Sequence, residues 1–235
     1  MNQLELNLAI IGLCTFLGLV DYFGPIIAGI GKENHYSLLS FGGGNMIALL
    51  FLILVPDLTR DNPDHLTWLF MLLGFLGMHF AEKYLYKHEK DKKKLLLELK
   101  ELHVVGFGLD NFLMGFIVAS VLETQDELVF LIMIPSVVQM LASSIALEEL
   151  DTRLNNNVSK ILLAVMPVIG GFFTIIIEIS ADVKTIFLAI ALGILFYMVV
   201  RDVIPIQGYG RPGMFILGNA IVIGIWVVIY FVVHA

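Results

Sequence analysis

The sequence predicts an all-α integral membrane protein with eight transmembrane helices. Hydrophobic residues make up 58% of the chain and charged residues only 15%, whereas a soluble domain has roughly 25% charged residues. The apolar residues form eight long runs, each close to the roughly 20 residues that cross the hydrocarbon core of a bilayer. A soluble core would instead show alternation and polar faces. We therefore expect a single transmembrane domain over residues 1–235.

The predicted spans follow one another along the chain, and most are joined by short polar loops. The longest loop, residues 87–102, is strongly basic, and its second half has the composition of a short amphipathic helix at the membrane surface. Within the first span, Gly24 and Pro25 predict a kink or an end to the regular helix. In chain order the spans cover residues 6–30, 38–55, 66–86, 103–122, 128–147, 161–179, 185–203 and 214–233.

The distribution of positive charge predicts the orientation in the membrane. If both termini lie outside, every lysine and arginine except Arg60 and Lys184 falls on inner loops or inner helix ends. Because cytoplasmic loops carry the excess of Lys and Arg, we expect a cell-membrane protein with its N- and C-termini outside. The outer loops are then acidic. The acidic residues of these loops could concentrate cations at the outer surface. Alternatively, these loops are acidic only because lysine and arginine are confined to the inner side, and both alternatives stay open.

The fourth predicted span contains the strongest functional signal. The stretch Val104–Val118 is apolar enough for a membrane, yet it carries Asp110 and Asn111 near its middle. A carboxylate at bilayer depth costs about 2.5–3.5 kcal/mol on insertion scales, so such a residue faces a bundle interior and indicates a functional site. The simpler alternative is that Asp110 only hydrogen-bonds a neighbouring helix.

The fifth span offers neutral polar partners for this carboxylate. Helical spacing gathers its polar residues on one stripe, which consists of Ser136, Gln139, Met140, Ser143 and Ser144. We therefore predict a metal site with Asp110 as the anionic ligand and with Gln139, Ser136 and Asn111 as neutral ligands. Small-residue packing, with Ser and Gln bonded across helices, would explain the same stripe without an ion.

Methionines in three of the spans permit a second interpretation of the site. Met114, Met140 and Met166 could supply thioether ligands to a soft ion such as copper(I). Methionine is also the usual gap-filler of apolar cores, and this is the interpretation that we favour.

An internal repeat links the second and seventh spans. Gly44 precedes Pro56 by twelve residues, and Gly193 precedes Pro205 by the same distance. In the predicted topology these two helices run in opposite directions. Spans one to three and six to eight then form inverted halves around the fourth and fifth spans. Inverted repeats around a site near the membrane midplane are typical of secondary transporters.

With these features the chain resembles the ZIP family of divalent metal transporters, which have eight spans in a 3+2+3 arrangement with inverted halves. Residues 38–57 are similar to the family's second span, residues 68–85 to its third, residues 163–172 to its sixth and residues 188–205 to its seventh. The resemblance implies alternating-access transport of a divalent metal ion (zinc, iron or manganese) as substrate, with no resident cofactor.

The metal-binding motifs of that family are largely replaced in this sequence. Its fourth span typically reads His-Asn-x-x-Asp/Glu-Gly, with a further glycine four residues later. Asp110 matches the acid and Gly115 the last glycine. Gly106 stands in place of the histidine, and Phe107 in place of the asparagine. Residues 128–147, the fifth span, contain no acid and no histidine, although the family's fifth span carries both.

These replacements leave two functions open. One is ZIP-like transport of a divalent cation, and the other is a ZIP-fold protein without transport that acts as a membrane sensor, scaffold or partner subunit. We find no catalytic constellation, so we expect neither an enzyme nor a nucleic-acid partner. Besides the lipid bilayer, a second copy of the chain is a candidate partner. Glycine-rich faces at residues 42–44 and 170–171 could pack within one chain or between two.

Overall fold

The protein is helical throughout the part that the computed structural model describes, which is residues 2–30, 35–60, 65–124, 129–150, 157–176, 181–203 and 210–234. The α-helices are α1 (Gln3–Ile30), α2 (His35–Leu49), α3 (Val55–Arg60), α4 (His65–His88), α5 (Lys92–Thr124), α6 (Val129–Leu150), α7 (Asn157–Ile176), α8 (Ala181–Met198) and α9 (Pro212–His234). Two π-helical segments, π1 (Leu50–Leu54) and π2 (Val199–Val203), continue α2 and α8. The predicted all-α class is confirmed for these residues, and each predicted span overlaps a helix.

Within the described residues, four helices contain a segment that is long and apolar enough to cross a membrane, by length and composition. These segments are Gln3–Gly24, Tyr36–Leu54, Lys92–Leu122 and Val158–Ile176. Three further apolar helices are shorter, namely Ile132–Ser144, Thr185–Arg201 and Pro212–Val228. Many large apolar side chains are exposed, as expected of helices that face lipid instead of water. The fold is therefore all-helical, and its apolar helices are consistent with a membrane protein. The count of eight crossings stays a prediction.

Two helices differ from the predicted spans in a way that matters for the fold. α1 does not end at Gly24 and Pro25, where the sequence predicts a kink or an end, but runs on to Ile30. α5 runs as one helix over Lys92–Thr124, so the second half of the predicted basic loop is the first part of the fourth span's helix. At its exposed start, Lys94 pairs with Glu89 at 2.7 Å, and this contact lowers the pKa of Glu89. Most of the other predicted loops lie outside the described residues.

α5 lies at the centre of the helix packing. It contacts α1, α6, α7 and α8, whereas α2 packs mainly against α9 and α4 mainly against α8. The buried apolar core draws side chains from several helices, among them Leu17, Leu49, Leu113, Met140 and Leu195. Neighbours on several sides therefore shield α5 from lipid, which is the condition for keeping a polar side chain at membrane depth.

Helices α2 and α9 pack closely through two glycines. Gly44 lies against the carbonyl oxygen of Phe215, and Gly218 lies against the carbonyl oxygen of Phe41. In both contacts an added β-carbon would be only 2.1 Å from the oxygen. No residue but glycine fits there, because glycine alone lets two helix backbones approach this closely.

Helices α4 and α8 repeat the same arrangement. Gly193 lies against the carbonyl oxygen of Met71 and Gly74 against that of Ile190, where an added β-carbon would be 1.9 and 2.0 Å from the oxygen. On each of the four helices the glycine follows the contacting carbonyl by three residues. The two helix pairs therefore share one packing mode, as the repeat of the second and seventh spans would require of the third and eighth. The mode is not confined to these pairs, because α5 and α7 make the same reciprocal contact through Gly115 and Gly170.

The two π-helical segments also fall at matching places. π1 begins six residues after Gly44, and π2 begins six residues after Gly193. π-helical turns are rare and occur often at functional sites. The repeat that the glycine–proline spacing predicts thus has a structural counterpart, although Pro205 itself lies outside the described residues.

The glycine-rich faces considered for contacts between two copies pack within the chain. A β-carbon at Gly42 would be 2.1 Å from that of Ala142, and one at Gly171 would be 2.6 Å from the sulfur of Cys14. These faces are therefore used by the monomer's own helices, and a homodimer stays a prediction.

Candidate functional site

Asp110 lies in the middle of α5 and is 1% exposed. Close contact with α7 keeps this part of α5 away from lipid. Gly115 lies against the carbonyl oxygen of Pro167, and Gly170 of α7 lies against that of Phe112, where added β-carbons would be 1.9 and 2.0 Å from the oxygens. The prediction that Asp110 faces the bundle interior is confirmed.

Gln139 of α6 is the direct partner of Asp110. Its Nε2 donates a hydrogen bond to Asp110 Oδ1, and both side chains are buried. Asp110 Oδ2 and Gln139 Oε1 are buried without a hydrogen-bond partner. The contact between these two predicted ligands is therefore present, and their binding of an ion stays a prediction.

Asn111 connects the site to two more helices. Its Nδ2 donates a hydrogen bond to the carbonyl oxygen of Leu163 in α7 at 3.1 Å, and its side chain lies close to the carboxylate of Asp21 in α1. Asn111 Oδ1 is left buried without a partner.

The serines of α6 have different hydrogen-bond partners. Ser136 donates to the carbonyl oxygen of Ile132 at 2.8 Å, one turn earlier in its own helix, as serine in a helix readily does. Ser144 instead reaches across to α1 and donates to Asp21 Oδ1 at 2.7 Å. Among the contacts of the described residues, no hydrogen bond joins Ser136 to Asp110, and the binding of an ion by Ser136 stays a prediction.

Asp21 is a further buried acid near Asp110, and the predicted ligand set omits it. It is 6% exposed and lies within range of electrostatic interaction with Asp110. Gly24, three residues later, permits the close approach of α6, because a β-carbon there would be 2.7 Å from Ser144 Oγ. The sequence carries a signal, an acid inside an apolar span, but only helix packing relates this acid to Asp110.

Asn45 of α2 approaches the same helix, α6, and was also not predicted. It is fully buried, and its Nδ2 donates to the carbonyl oxygen of Pro135 at 2.9 Å. Its Oδ1 has no partner. Because Pro135 lies one turn before Gln139, Asn45 borders the site along α6.

Carboxylate and amide oxygens make up the donor set around Asp110. In the described ranges, no group of three or more His, Cys, Asp or Glu side chains is placed to hold a metal ion. The position where the ZIP family has a histidine, Gly106, is closed by Met198, whose sulfur would be 2.8 Å from an added β-carbon. Oxygen donors suit hard cations, whereas zinc sites usually contain nitrogen or sulfur.

The methionines of the soft-ion interpretation have packing contacts. Met114 and Met140 belong to the buried apolar core, and the Cε of Met166 would lie 3.6 Å from a β-carbon at Gly108. These contacts agree with a gap-filling role.

A third buried carboxylate, Glu82 of α4, lies outside this site. The hydroxyl of Tyr197 donates to its Oε2, and Arg201 Nη2 contacts its Oε1 at 2.9 Å. The sequence analysis did not single out this cluster, since Glu82 lies near the predicted inner end of the third span, where a charged residue is ordinary.

No protein-family model, no curated protein and no solved structure matches the chain. The function is therefore argued from the residues of the site and from the helix packing that holds them.

Proposed function

We propose that the protein is a ZIP-like multipass membrane transporter that moves a divalent metal cation by alternating access through the site at Asp110. The observation that carries the proposal is the second oxygen of this buried carboxylate, Oδ2, which has no hydrogen-bond partner. None of the ion pairs among the described residues involves Asp110. A buried charge without a protein counter-ion is costly unless a cation pairs with it, and intramembrane acids of this kind mark ion pathways.

The repeated helix packing supports a transporter architecture. The glycine contacts of α2 with α9 recur in α4 with α8, and the two π-helical segments follow Gly44 and Gly193 at the same distance. We interpret the two sets as inverted halves of an eight-span, 3+2+3 arrangement. The helices between the halves, α5 and α6, carry Asp110 and Gln139, as expected where a substrate site lies at the repeat interface.

The site has groups that can replace water around a cation. A divalent ion must lose part of its hydration shell to enter, and the Asp110 carboxylate with the free amide oxygens of Asn111 and Gln139 can compensate for that loss. α1 and α7, one from each proposed half, contact α5 beside the site. Motion of the halves against α5 and α6 would expose Asp110 to one side of the membrane and then to the other.

A ZIP-fold sensor, scaffold or partner subunit without transport is the second candidate. One observation favours it: in the described part of the chain, no group of three or more His, Cys, Asp or Glu side chains is placed to hold a metal ion. In this case the bonds of Asp110 and Asn111 would serve only to join the helices.

A flux assay separates the two candidates. The purified protein is placed in liposomes that contain a fluorescent metal indicator, and Mn²⁺, Zn²⁺ or Fe²⁺ is added outside. We expect the wild type to admit at least one of these ions faster than empty liposomes. Asp110→Asn should lower the rate about tenfold or more, because a hydrogen-bonded charged partner contributes about 1.5–3 kcal/mol.

Val105→Thr is the matched control, since Val105 is an exposed residue on the same helix and the change conserves volume. It should leave the flux unchanged. Equal rates for the wild type, Asp110→Asn and empty liposomes with all three ions would contradict transport and favour the second candidate.

A further inference from the structure

We propose that Asp21 is the second acid of the cation site and that the site selects hard divalent cations, such as Mn²⁺, Ca²⁺ or Mg²⁺, over zinc. This inference rests on the proposed function, because it assumes that Asp110 binds the transported cation. It adds a residue from another helix, and it names the class of ion that the donors suit.

The first support is the way in which Asp21 is held. Ser144 of α6 donates to Asp21 Oδ1 at 2.7 Å, and the Asn111 side chain of α5 lies close to the same carboxylate. Asp21 is thus in contact with α6, which carries Gln139, and lies near α5, which carries Asp110. Because Ser144 and Asn111 are neutral, they do not cancel the charge of this carboxylate.

The second support is an excess of buried acceptors. Gln139 directs its amide nitrogen at Asp110, and Asn111 directs its amide nitrogen at the carbonyl oxygen of Leu163. Reversing either amide would set an oxygen against an acceptor oxygen, so the orientation of both is determined. Three oxygens then stay buried without a donor, namely Asp110 Oδ2, Asn111 Oδ1 and Gln139 Oε1.

Buried polar atoms in proteins almost always have a partner, and an exception needs an explanation such as an ion. All three residues are only 1% exposed, so bulk water does not supply the missing donors. A cation accepts electron pairs from several oxygens at once. One cation could therefore be the partner of all three oxygens, which would otherwise need several hydrogen-bond donors.

The charge of the site indicates the charge of its ion. Asp21 and Asp110 lie within range of electrostatic interaction, and no ion pair of the described residues includes either of them. Two carboxylates without a counter-ion repel each other in a medium of low dielectric constant. One divalent cation neutralises both, whereas a monovalent cation would leave one negative charge uncompensated.

The chemistry of the donors indicates the class of cation. Mg²⁺, Ca²⁺ and Mn²⁺ are bound by carboxylate, amide and water oxygens, whereas zinc prefers a compact tetrahedron that usually includes histidine or cysteine. The buried network of Asp21, Asp110, Asn111, Gln139 and Ser144 offers oxygen alone as ligand. Selectivity for hard ions follows from this set.

Binding to the purified full chain tests the inference separately from transport. Free Mn²⁺ is measured by electron paramagnetic resonance while protein in detergent is titrated with the ion. We expect binding of Mn²⁺ that Ca²⁺ or Mg²⁺ displaces more effectively than Zn²⁺ does at equal concentration. Asp21→Asn should weaken Mn²⁺ binding about tenfold or more, the usual effect of altering a group that supports a metal ligand.

Two further variants make this result specific to the charge of Asp21. Thr15→Val changes an exposed residue of the same helix and should bind Mn²⁺ like the wild type. Asp21→Glu keeps the carboxylate and should recover part of the affinity that Asp21→Asn loses. Thermal unfolding and gel filtration identify any variant that fails to fold.

The outcomes distinguish this inference from the proposed function. Asp110-dependent flux together with an Asp21→Asn variant of unchanged Mn²⁺ affinity would overturn only the role of Asp21. Tighter binding of Zn²⁺ than of Ca²⁺, Mg²⁺ and Mn²⁺ would overturn the hard-ion assignment. A wild-type protein that neither binds nor moves any of these ions would contradict both proposals.

Discussion

Glu82 and Asp110 are both buried carboxylates in apolar helices, but they differ in the partners that compensate their negative charge. Each oxygen of Glu82 has a donor, the hydroxyl of Tyr197 for one and the guanidinium of Arg201 for the other. Asp110 accepts one bond from the neutral amide of Gln139, and its Oδ2 has no partner. The difference lies in the counter-charge, which the protein supplies at Glu82 but not at Asp110.

This difference separates a structural charge from a candidate binding charge. A buried ion pair is stable only when its partners and remaining lone pairs are satisfied, and the Glu82 cluster meets that condition while it joins α4 to α8. A cation site must instead keep an acceptor that no protein donor occupies, because a permanent salt bridge would compete with the ion. Asp110 has this incomplete set of partners.

The largest expected effect is the loss of the counter-charge at Glu82. Arg201→Ala leaves a buried carboxylate without its cation. Because the Arg201 side chain is 39% exposed, we expect a loss of about 2–3 kcal/mol in the free energy of unfolding, at or below the lower end of values for buried pairs. Denaturant unfolding in detergent measures it. The double variant Glu82→Gln/Arg201→Gln should recover most of the loss, and a fully stable Arg201→Ala would contradict the importance of the pair.

A smaller effect on the same cluster is expected from Tyr197→Phe. The change removes only the hydroxyl that donates to Glu82 Oε2, and a hydrogen bond to a charged group contributes about 1.5–3 kcal/mol. We expect a loss of about 1.5 kcal/mol in the same unfolding measurement, with Mn²⁺ binding at Asp110 unchanged. Wild-type stability of this variant would contradict a contribution of the Tyr197 hydroxyl to the Glu82 cluster.

Asp110→Asn should behave in the opposite way to Arg201→Ala. In metal-free buffer the change removes a buried charge that has no counter-ion, so we expect the free energy of unfolding to stay constant or to rise by about 1 kcal/mol. At a Mn²⁺ concentration 100 times the dissociation constant of the wild type, the wild type should gain about 2.7 kcal/mol, and the variant should gain about 1.4 kcal/mol or less. Destabilisation of Asp110→Asn without metal would indicate that the carboxylate is structural, as Glu82 is.

The smallest effect is expected from Ser136→Ala. The hydroxyl bonds the carbonyl oxygen of Ile132 in its own helix, so its loss removes no contact to Asp110. We expect Mn²⁺ affinity within about twofold of the wild type and a stability change of less than about 1 kcal/mol. A loss of affinity as large as that of Asp110→Asn would restore Ser136 to the ligand set.

Local pattern was sufficient to locate the centre of the site. Asp110 is identified by its charge in an apolar helix, and Gln139 by its place on the polar stripe of the next span. Both are buried and in contact. The spacing of Gly44 and Gly193 from their prolines likewise pointed to a repeat, which the glycine contacts and the π-helical segments match. Each of these features can be recognised within a single helix, because the periodicity of its residues and the cost of burying a polar side chain are visible in its own sequence.

The remaining members of the site depend on which helices meet. Asp21 lies close to Asn111, which is 90 residues later in the chain, and it accepts a hydrogen bond from Ser144, which is more than 120 residues later. No pattern in these segments identifies them as partners. Asn45 was missed for the same reason, since its amide bonds a backbone carbonyl in α6. Ser136 was included because it shares a face with Gln139, yet its proton is used within its own turn.

Composition, the length of the apolar runs and the acid in the fourth span are enough to predict long apolar helices, suited to a membrane, with a polar centre at Asp110. Each of these follows from the cost of placing polar groups in hydrocarbon, which acts on every helix separately. The tertiary structure alone decides that Glu82 is neutralised by Arg201, that Asp110 keeps an open oxygen, and that Asp21 lies beside Asn111. Those properties depend on contacts between helices far apart in the chain, and hydropathy and spacing do not encode such contacts.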